Sequence, residues 1–273
     1  MARIRENKLP LTISFLICFL VITLTFNANN AAIPVGGGDD DSRKTIVLDA
    51  GHGGIDGGAV GVNGELEKDI NLAIVLNLQQ LLQFSGFNVI LTRDSDRSMH
   101  SDGVEGIRNQ KISDMENRRA IVDAHPNSLF FSIHQNRFTD SKYTGGQMFF
   151  TTRNPDSKRL AQSLQNSFAI LQTGNTREIK VIDNELYLFK EAVQPAVLIE
   201  CGFLSNAEEA RRLNDPDYQR KIAFSIYRGI VEFLALESQS APVIPEISAI
   251  PEVPIITMAE PPIATEPPVI IVD

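Results

Sequence analysis

The chain has 273 residues, 43% of them hydrophobic and 22% charged, with a formal net charge of −9. That length and apolar content predict a globular protein of one or two domains with a real core. Setting aside a basic leader (+2) and an acidic tail (−5) leaves −6 on the body, a balance that argues against nucleic acid as the partner.

Residues 1–30 place Arg3, Arg5 and Lys8 ahead of an uncharged apolar run from Leu11 to Phe26. That order predicts a secretory signal peptide or an uncleaved signal anchor, and either exports the body. Contact with a membrane is expected only through this segment. Residues 31–43 form a Gly- and Asp-rich linker, and 44–237 the folded domain. Residues 238–273 hold eight prolines, four glutamates and a terminal aspartate with no Lys or Arg. Proline at that density forbids helix and central strand, so an extended tail is predicted, either a solvated spacer or a docking peptide for a partner. Cys18 lies in the leader and Cys201 in the body, so no intramolecular disulfide is expected in the mature protein even though export permits one.

Within the domain, Thr45-Ile46-Val47-Leu48 is a buried strand that stops at Asp49-Ala50-Gly51-His52-Gly53-Gly54. The glycines turn the chain sharply and leave His52 at the lip of a sheet, where α/β proteins place their ligands. A glycine-rich loop follows, and then Glu65, Glu67 and Asp69 crowd the start of a helix whose Ile70, Ile74, Leu78, Leu81 and Leu82 recur at helical spacing. Acids are favoured in a first turn by the helix dipole; the glycines also allow the loop to fold back and set Glu67 beside His52.

Asn88 to Thr92 is a second strand, followed by Arg93 to Ile112, a polar stretch without apolar periodicity that predicts a long loop, either a functional lid or disordered. Its His100 is expected at the surface. Ser113 with Glu116 predicts a capping box opening the next helix, closed by His125-Pro126. Leu129 to Ile133 is again an apolar strand ending in a histidine, His134. Strands are expected over Gly146–Thr151, Leu186–Phe189 and Ala196–Ile199, the last delivering Glu200 at its end. Helices are expected after Asn154-Pro155, after Ser205 with Glu208, and from Asp215-Pro216 to Leu236, with Ile222, Phe224, Ile226, Ile230 and Phe233 facing the core. Alternating strands and helices predict an α/β fold: a doubly wound, mainly parallel sheet flanked by helices in a single catalytic domain.

His52, Glu67, His134 and Glu200 are thereby expected at one sheet edge. Two imidazoles and a carboxylate suit Zn2+, which in catalytic sites takes three protein ligands. Glu200, burying a charge that no structural role needs, is left to move protons as a general acid/base. Asp56, Glu65 and Asp69 compete with Glu67 as the third ligand: Asp56 sits in a turn before Gly57-Gly58, and Asp69 is satisfied as a first-turn acid. Cys201 beside Glu200 is expected to be a small buried apolar residue.

Four ordered motifs, Asp49-Ala50-Gly51-His52-Gly53-Gly54, Glu67-Lys68-Asp69, Ser132-Ile133-His134-Gln135-Asn136 and Glu200-Cys201-Gly202-Phe203-Leu204-Ser205-Asn206, together resemble the zinc-dependent N-acetylmuramoyl-L-alanine amidases of bacterial cell walls, over roughly Lys44 to Leu236. The resemblance implies peptidoglycan as substrate, His52, Glu67 and His134 as zinc ligands, Glu200 as catalytic acid/base, and cleavage of the amide between the lactyl group of N-acetylmuramic acid and L-alanine. Cys201 stands where other small residues are common, and the separate wall-binding repeats of some members are not expected here, which leaves anchoring to the leader or tail. Ile107 to Asp114 and Ser157 to Ala161 look most like the germination-specific amidases of spore formers. Those enzymes strip stem peptides from spore cortex so that a deacetylase can form muramic δ-lactam. The alternatives are a zinc deacetylase or peptidase on the same polymer, and a non-catalytic wall-binding module; a partner protein would meet the tail or the 93–112 segment.

Overall fold

The computed structural model describes residues 43–182 and 186–240, with the side chains of 238–240 excluded. The expected leader, nearly all of the linker and the tail beyond 240 lie outside the described residues. Six strands, β1 (Thr45–Ala50), β2 (Asn88–Leu91), β3 (Leu129–Asn136), β4 (Gln147–Phe150), β5 (Lys180–Val181) and β6 (Ala196–Phe203), form one sheet in the order β2-β1-β3-β6-β4-β5. Every neighbouring pair is parallel except β4 with β6. The helices of the described residues are α1 (Glu67–Phe84), α2 (Ile107–Asp123), α3 (Asp156–Leu171), α4 (Ala207–Leu213) and α5 (Pro216–Ser240). None is long and apolar enough to cross a membrane.

The doubly wound α/β expectation is met for a physical reason visible in β1, β3 and β6: they are apolar on both faces because helices cover both. Ile46, Leu48, Leu129, Phe131, Val197 and Ile199 point to one face and pack under α1, α3 and α5. Val47, Phe130, Ala196 and Leu198 point to the other and pack against α2 and the turn at Leu188–Phe189. Because side chains alternate along a strand, that second face also receives Asp49, Ser132, His134 and Glu200. The chemistry-bearing residues at the carboxyl ends of three central strands therefore share one face, beneath α2.

Several local expectations are corrected. The helix expected from Ser113 begins six residues earlier, at Ile107, after Gly106 with φ 83° and no side-chain cap. Its first turns lack an apolar stripe because they do not pack on the sheet, and Ser113 instead lies inside the helix, its Oγ accepting from Ser101 N at 3.0 Å. The loop before it is pinned rather than free: Arg93 is buried and donates to Ala50 O, Ser95 O, Gly51 O and Lys68 O. His100 is half-buried, with Nδ1 2.7 Å from Ser98 Oγ. Leu186–Phe189 is a turn closed by Phe189 N donating to Leu186 O; the edge strand is Lys180–Val181. Asn206, not Ser205, caps α4, accepting from Glu209 N at 3.0 Å. Phe224 is 54% exposed rather than part of the core.

Candidate metal centre

The chain leaves β1 through Gly51 into His52, which has φ 63°, the only positive φ at a non-glycine among the described residues. Such a backbone is held only where its surroundings over-determine it, and here they do. Arg118 Nη2 donates to His52 O, while Arg93 Nη2 and Asn71 Nδ2 donate to Gly51 O. A side chain at Gly51 would begin 2.3 Å from the His134 ring, so only glycine lets that imidazole stand over the turn. The loop that follows folds back through bridges between Gly53 and Asp56 and between Val60 and Leu66, returning the chain to the start of α1. Gly58 crosses so close that a Cβ would lie 2.7 Å from both Glu67 Oε2 and His52 Cδ2.

Glu67, 3% exposed, is thereby delivered between the two histidines. Its Oε1 lies 3.0 Å from His134 Nδ1 and its Oε2 lies 3.2 Å from His52 Nε2. Ala59 N and Gln135 N donate to the same carboxylate, fixing its plane. The imidazole rings stand edge-on, 5.0 Å apart. The donor atoms of His52, Glu67 and His134 all lie within 4.8 Å of one another, a group that could hold a metal ion. The competing acids are elsewhere: Glu65 accepts from Asn63 within its own turn, Asp69 is exposed, and Asp56 sits behind His52.

The electrostatics suit a cation. Burial alone would lower the His52 pKa, but hydrogen bonds and charge from Asp56 and Glu67 raise it to about 9. Burial would raise that of Glu67, yet the two histidines hold it well below the usual carboxylate range. Such surroundings suit a divalent ion in place of protons, and the nitrogen and oxygen donors are those a borderline-soft ion accepts.

Glu200 is brought to the same place by register. It pairs with His134 across β3 and β6, so both project from the same face. Its Oε2 is closed to solvent and has no hydrogen-bond partner, and burial pushes its pKa up to about 7, with Glu67 adding to the rise against the pull of both histidines. A buried oxygen left unpartnered is costly unless chemistry uses it. Cys201, by contrast, is fully buried with its thiol pushed up by burial, and it packs in the core as expected.

Sequence reasoning missed the residues that support this group. Asp56 Oδ2 lies 2.9 Å from His52 Nδ1 and its Oδ1 accepts from Lys111 Nζ at 2.9 Å, an arrangement that fixes which imidazole nitrogen faces the centre. Its turn-forming neighbours explained it too readily. Asn71 follows Glu67 by four residues, one helical turn on, and joins Gly51 O to Gln135, whose Nε2 donates to Asn71 Oδ1; that spacing was a usable signal. Asp49 and Arg118, 69 residues apart, form a buried ion pair of 2.6 Å that only the fold could disclose. A cavity of about 190 Å³ opens from the histidines between the sheet and α2, walled by Asp49, Met115, Tyr187 and Leu198 among others.

Residues 46–232 match the family described as N-acetylmuramoyl-L-alanine amidase. The chain is 35% identical over 229 residues to the germination-specific N-acetylmuramoyl-L-alanine amidase of Bacillus subtilis (strain 168), covering 81% of this chain and 93% of that protein. Among solved structures it is similar to the CwlD amidase from Clostridioides difficile in complex with the GerS lipoprotein, at 44% identity and TM-score 0.69, covering 71% of this chain and all of that one. The catalytic domain of CwlV, an N-acetylmuramoyl-L-alanine amidase from Bacillus (Paenibacillus) polymyxa var. colistinus, matches at 32% identity and TM-score 0.59, covering 70% and 98%.

Proposed function

The chain belongs to the N-acetylmuramoyl-L-alanine amidase family, and on that premise we propose that it hydrolyses the amide between the lactyl group of N-acetylmuramic acid and L-alanine in peptidoglycan, with zinc held by His52, Glu67 and His134. The observation that carries the reading is the placing of those three donors beside Glu200, which is in register with His134 and has a buried Oε2 without a hydrogen-bond partner. Bound zinc would supply Lewis acidity, polarising the scissile carbonyl and acidifying water. Glu67, kept anionic, and His52, oriented by Asp56, present fixed donors. Glu200 takes the proton of the attacking water at its unpartnered Oε2 and passes it to the departing amine of L-alanine, a task suited by a pKa of about 7.

The setting we propose is extracytoplasmic, on spore cortex, where removal of stem peptides precedes muramic δ-lactam formation by a deacetylase. Similarity to the germination-specific amidase and to the CwlD amidase supports it. Residues 1–30 would export the chain, 31–43 link it and 44–237 form the catalytic domain. A lipoprotein partner is proposed by analogy with the complex in which the CwlD amidase was solved, meeting the 93–112 segment or the tail.

The test incubates the purified full chain with peptidoglycan, with and without a chelator, and identifies released fragments by mass spectrometry. Intact stem peptides beginning with L-alanine, lost on chelation and restored by zinc, are expected; release of acetate alone, or of no fragment from zinc-loaded protein, would overturn the reading. Spores of a strain lacking the chain are expected to have cortex without muramic δ-lactam, and normal lactam content removes the spore assignment.

A further inference from the structure

The amino-terminal half of α2 turns Ile107 and Ile112 outward, 68% and 48% exposed. With Arg108, Lys111, Met115 and Tyr187 they line an open groove of about 770 Å³ whose walls are apolar but for the two cations. Met115 and Tyr187 also wall the cavity that holds His52 and His134, so the groove lies beside the candidate metal centre and shares a wall with it. Lys111 marks how near it comes, since its Nζ is 2.9 Å from Asp56, which is 2.9 Å from His52 Nδ1. Lys111 is thus committed to Asp56, whereas Arg108 is exposed and has no ion pair among the described residues.

These walls discriminate between the two halves of a peptidoglycan substrate. A glycan strand presents hydroxyl and acetamido groups that need hydrogen-bonding partners, and the groove offers almost none. A short acidic peptide presents methyl and methylene groups interrupted by carboxylates, which match apolar walls with one uncommitted guanidinium. We infer that the groove seats the stem peptide on the L-alanine side of the scissile bond, with Arg108 receiving one of its carboxylates; this rests on the amidase reading above.

The test uses the full zinc-loaded chain and two synthetic muropeptides that differ only in whether the stem carboxylates are free or amidated. Arg108→Glu is expected to raise KM about five-fold to ten-fold for the free acid, with kcat and zinc content unchanged, and less than about two-fold for the amide. Ile112→Ser is expected to raise KM about three-fold for both. Both positions are exposed, and circular dichroism checks that each variant folds. Equal responses of the two substrates to Arg108→Glu remove the carboxylate contact. Unchanged KM in both variants overturns the inference and gives the groove to another occupant, such as a partner protein. Should the unmodified chain turn over neither substrate, the amidase reading falls, and calorimetric titration of the isolated stem peptide decides the groove separately: binding weakened by Arg108→Glu upholds it, and binding that is absent or indifferent to the change refutes it.

Discussion

Glu200 and Asp56 are both carboxylates of the candidate centre, yet their surroundings push their protonation in opposite directions. Burial without a partner lifts Glu200 into the range where it exchanges protons. The hydrogen bonds of Asp56 to His52 and Lys111, with His52 first, hold it anionic against a smaller cost of burial. Glu200→Gln is therefore expected to keep bound zinc and lower kcat by about 10²-fold to 10⁴-fold, the range for loss of a general acid/base; a near-normal rate would remove Glu200 from the reaction. His52→Ala or His134→Ala should lose the metal, and full zinc content in either would refute that ligand. Asp56→Ala should leave all three donors in place and weaken zinc binding about 10-fold to 100-fold in a chelator competition, whereas unchanged affinity would reduce Asp56 to a turn residue.

Among the elements, α2 is tied to the sheet through a buried guanidinium. Arg118 lies 2.6 Å from both Asp49 and Asp114 and donates to Ala50 O, so the helix is fastened to the end of β1 where the site begins. Burial would raise the Asp49 pKa, but Arg118, with Ser132, His134 and Thr92, holds it at about 2. Its folded value lies below its ordinary one, so this stabilisation is complete above about pH 4 and is lost as pH falls towards 2. The loss is about 2 kcal/mol by linkage, to be read from urea midpoints against pH. In Asp49→Asn that portion of the pH dependence should vanish, while overall stability falls by about 1–3 kcal/mol because the buried Arg118 loses one of its two carboxylate partners and keeps only Asp114. A variant with the unmodified pH dependence would clear Asp49 of the role. The same element marks where the sequence stopped being legible. His52, His134 and Glu200 announce themselves because each ends an apolar run, and a central parallel strand needs such a run. Arg118 sits within a helix as any charged residue does, and its meaning lies in Asp49, 69 residues away. The start of α2 was hidden likewise, since Ile107 to Ile112 face the groove rather than the sheet and leave no periodic stripe.

At the scale of the whole molecule, the centre is a clasp between three central strands and the start of α1, so a ligand bound there should stabilise the entire domain. Zinc at about a hundred times its dissociation constant is expected to add about 2.7 kcal/mol, seen as a higher melting temperature than in chelator-treated protein. Melting indifferent to zinc would mean that no ion binds the folded form preferentially. The clasp also has an order in time. His52 and Glu67 leave the ribosome early, His134 much later, and Glu200 rides on β6, which must insert between β3 and β4 in the middle of the sheet. A polypeptide that stops before β6 therefore holds only part of the centre. On the proposed reaction, copies cut short before β6 would lack Glu200 and leave the wall intact.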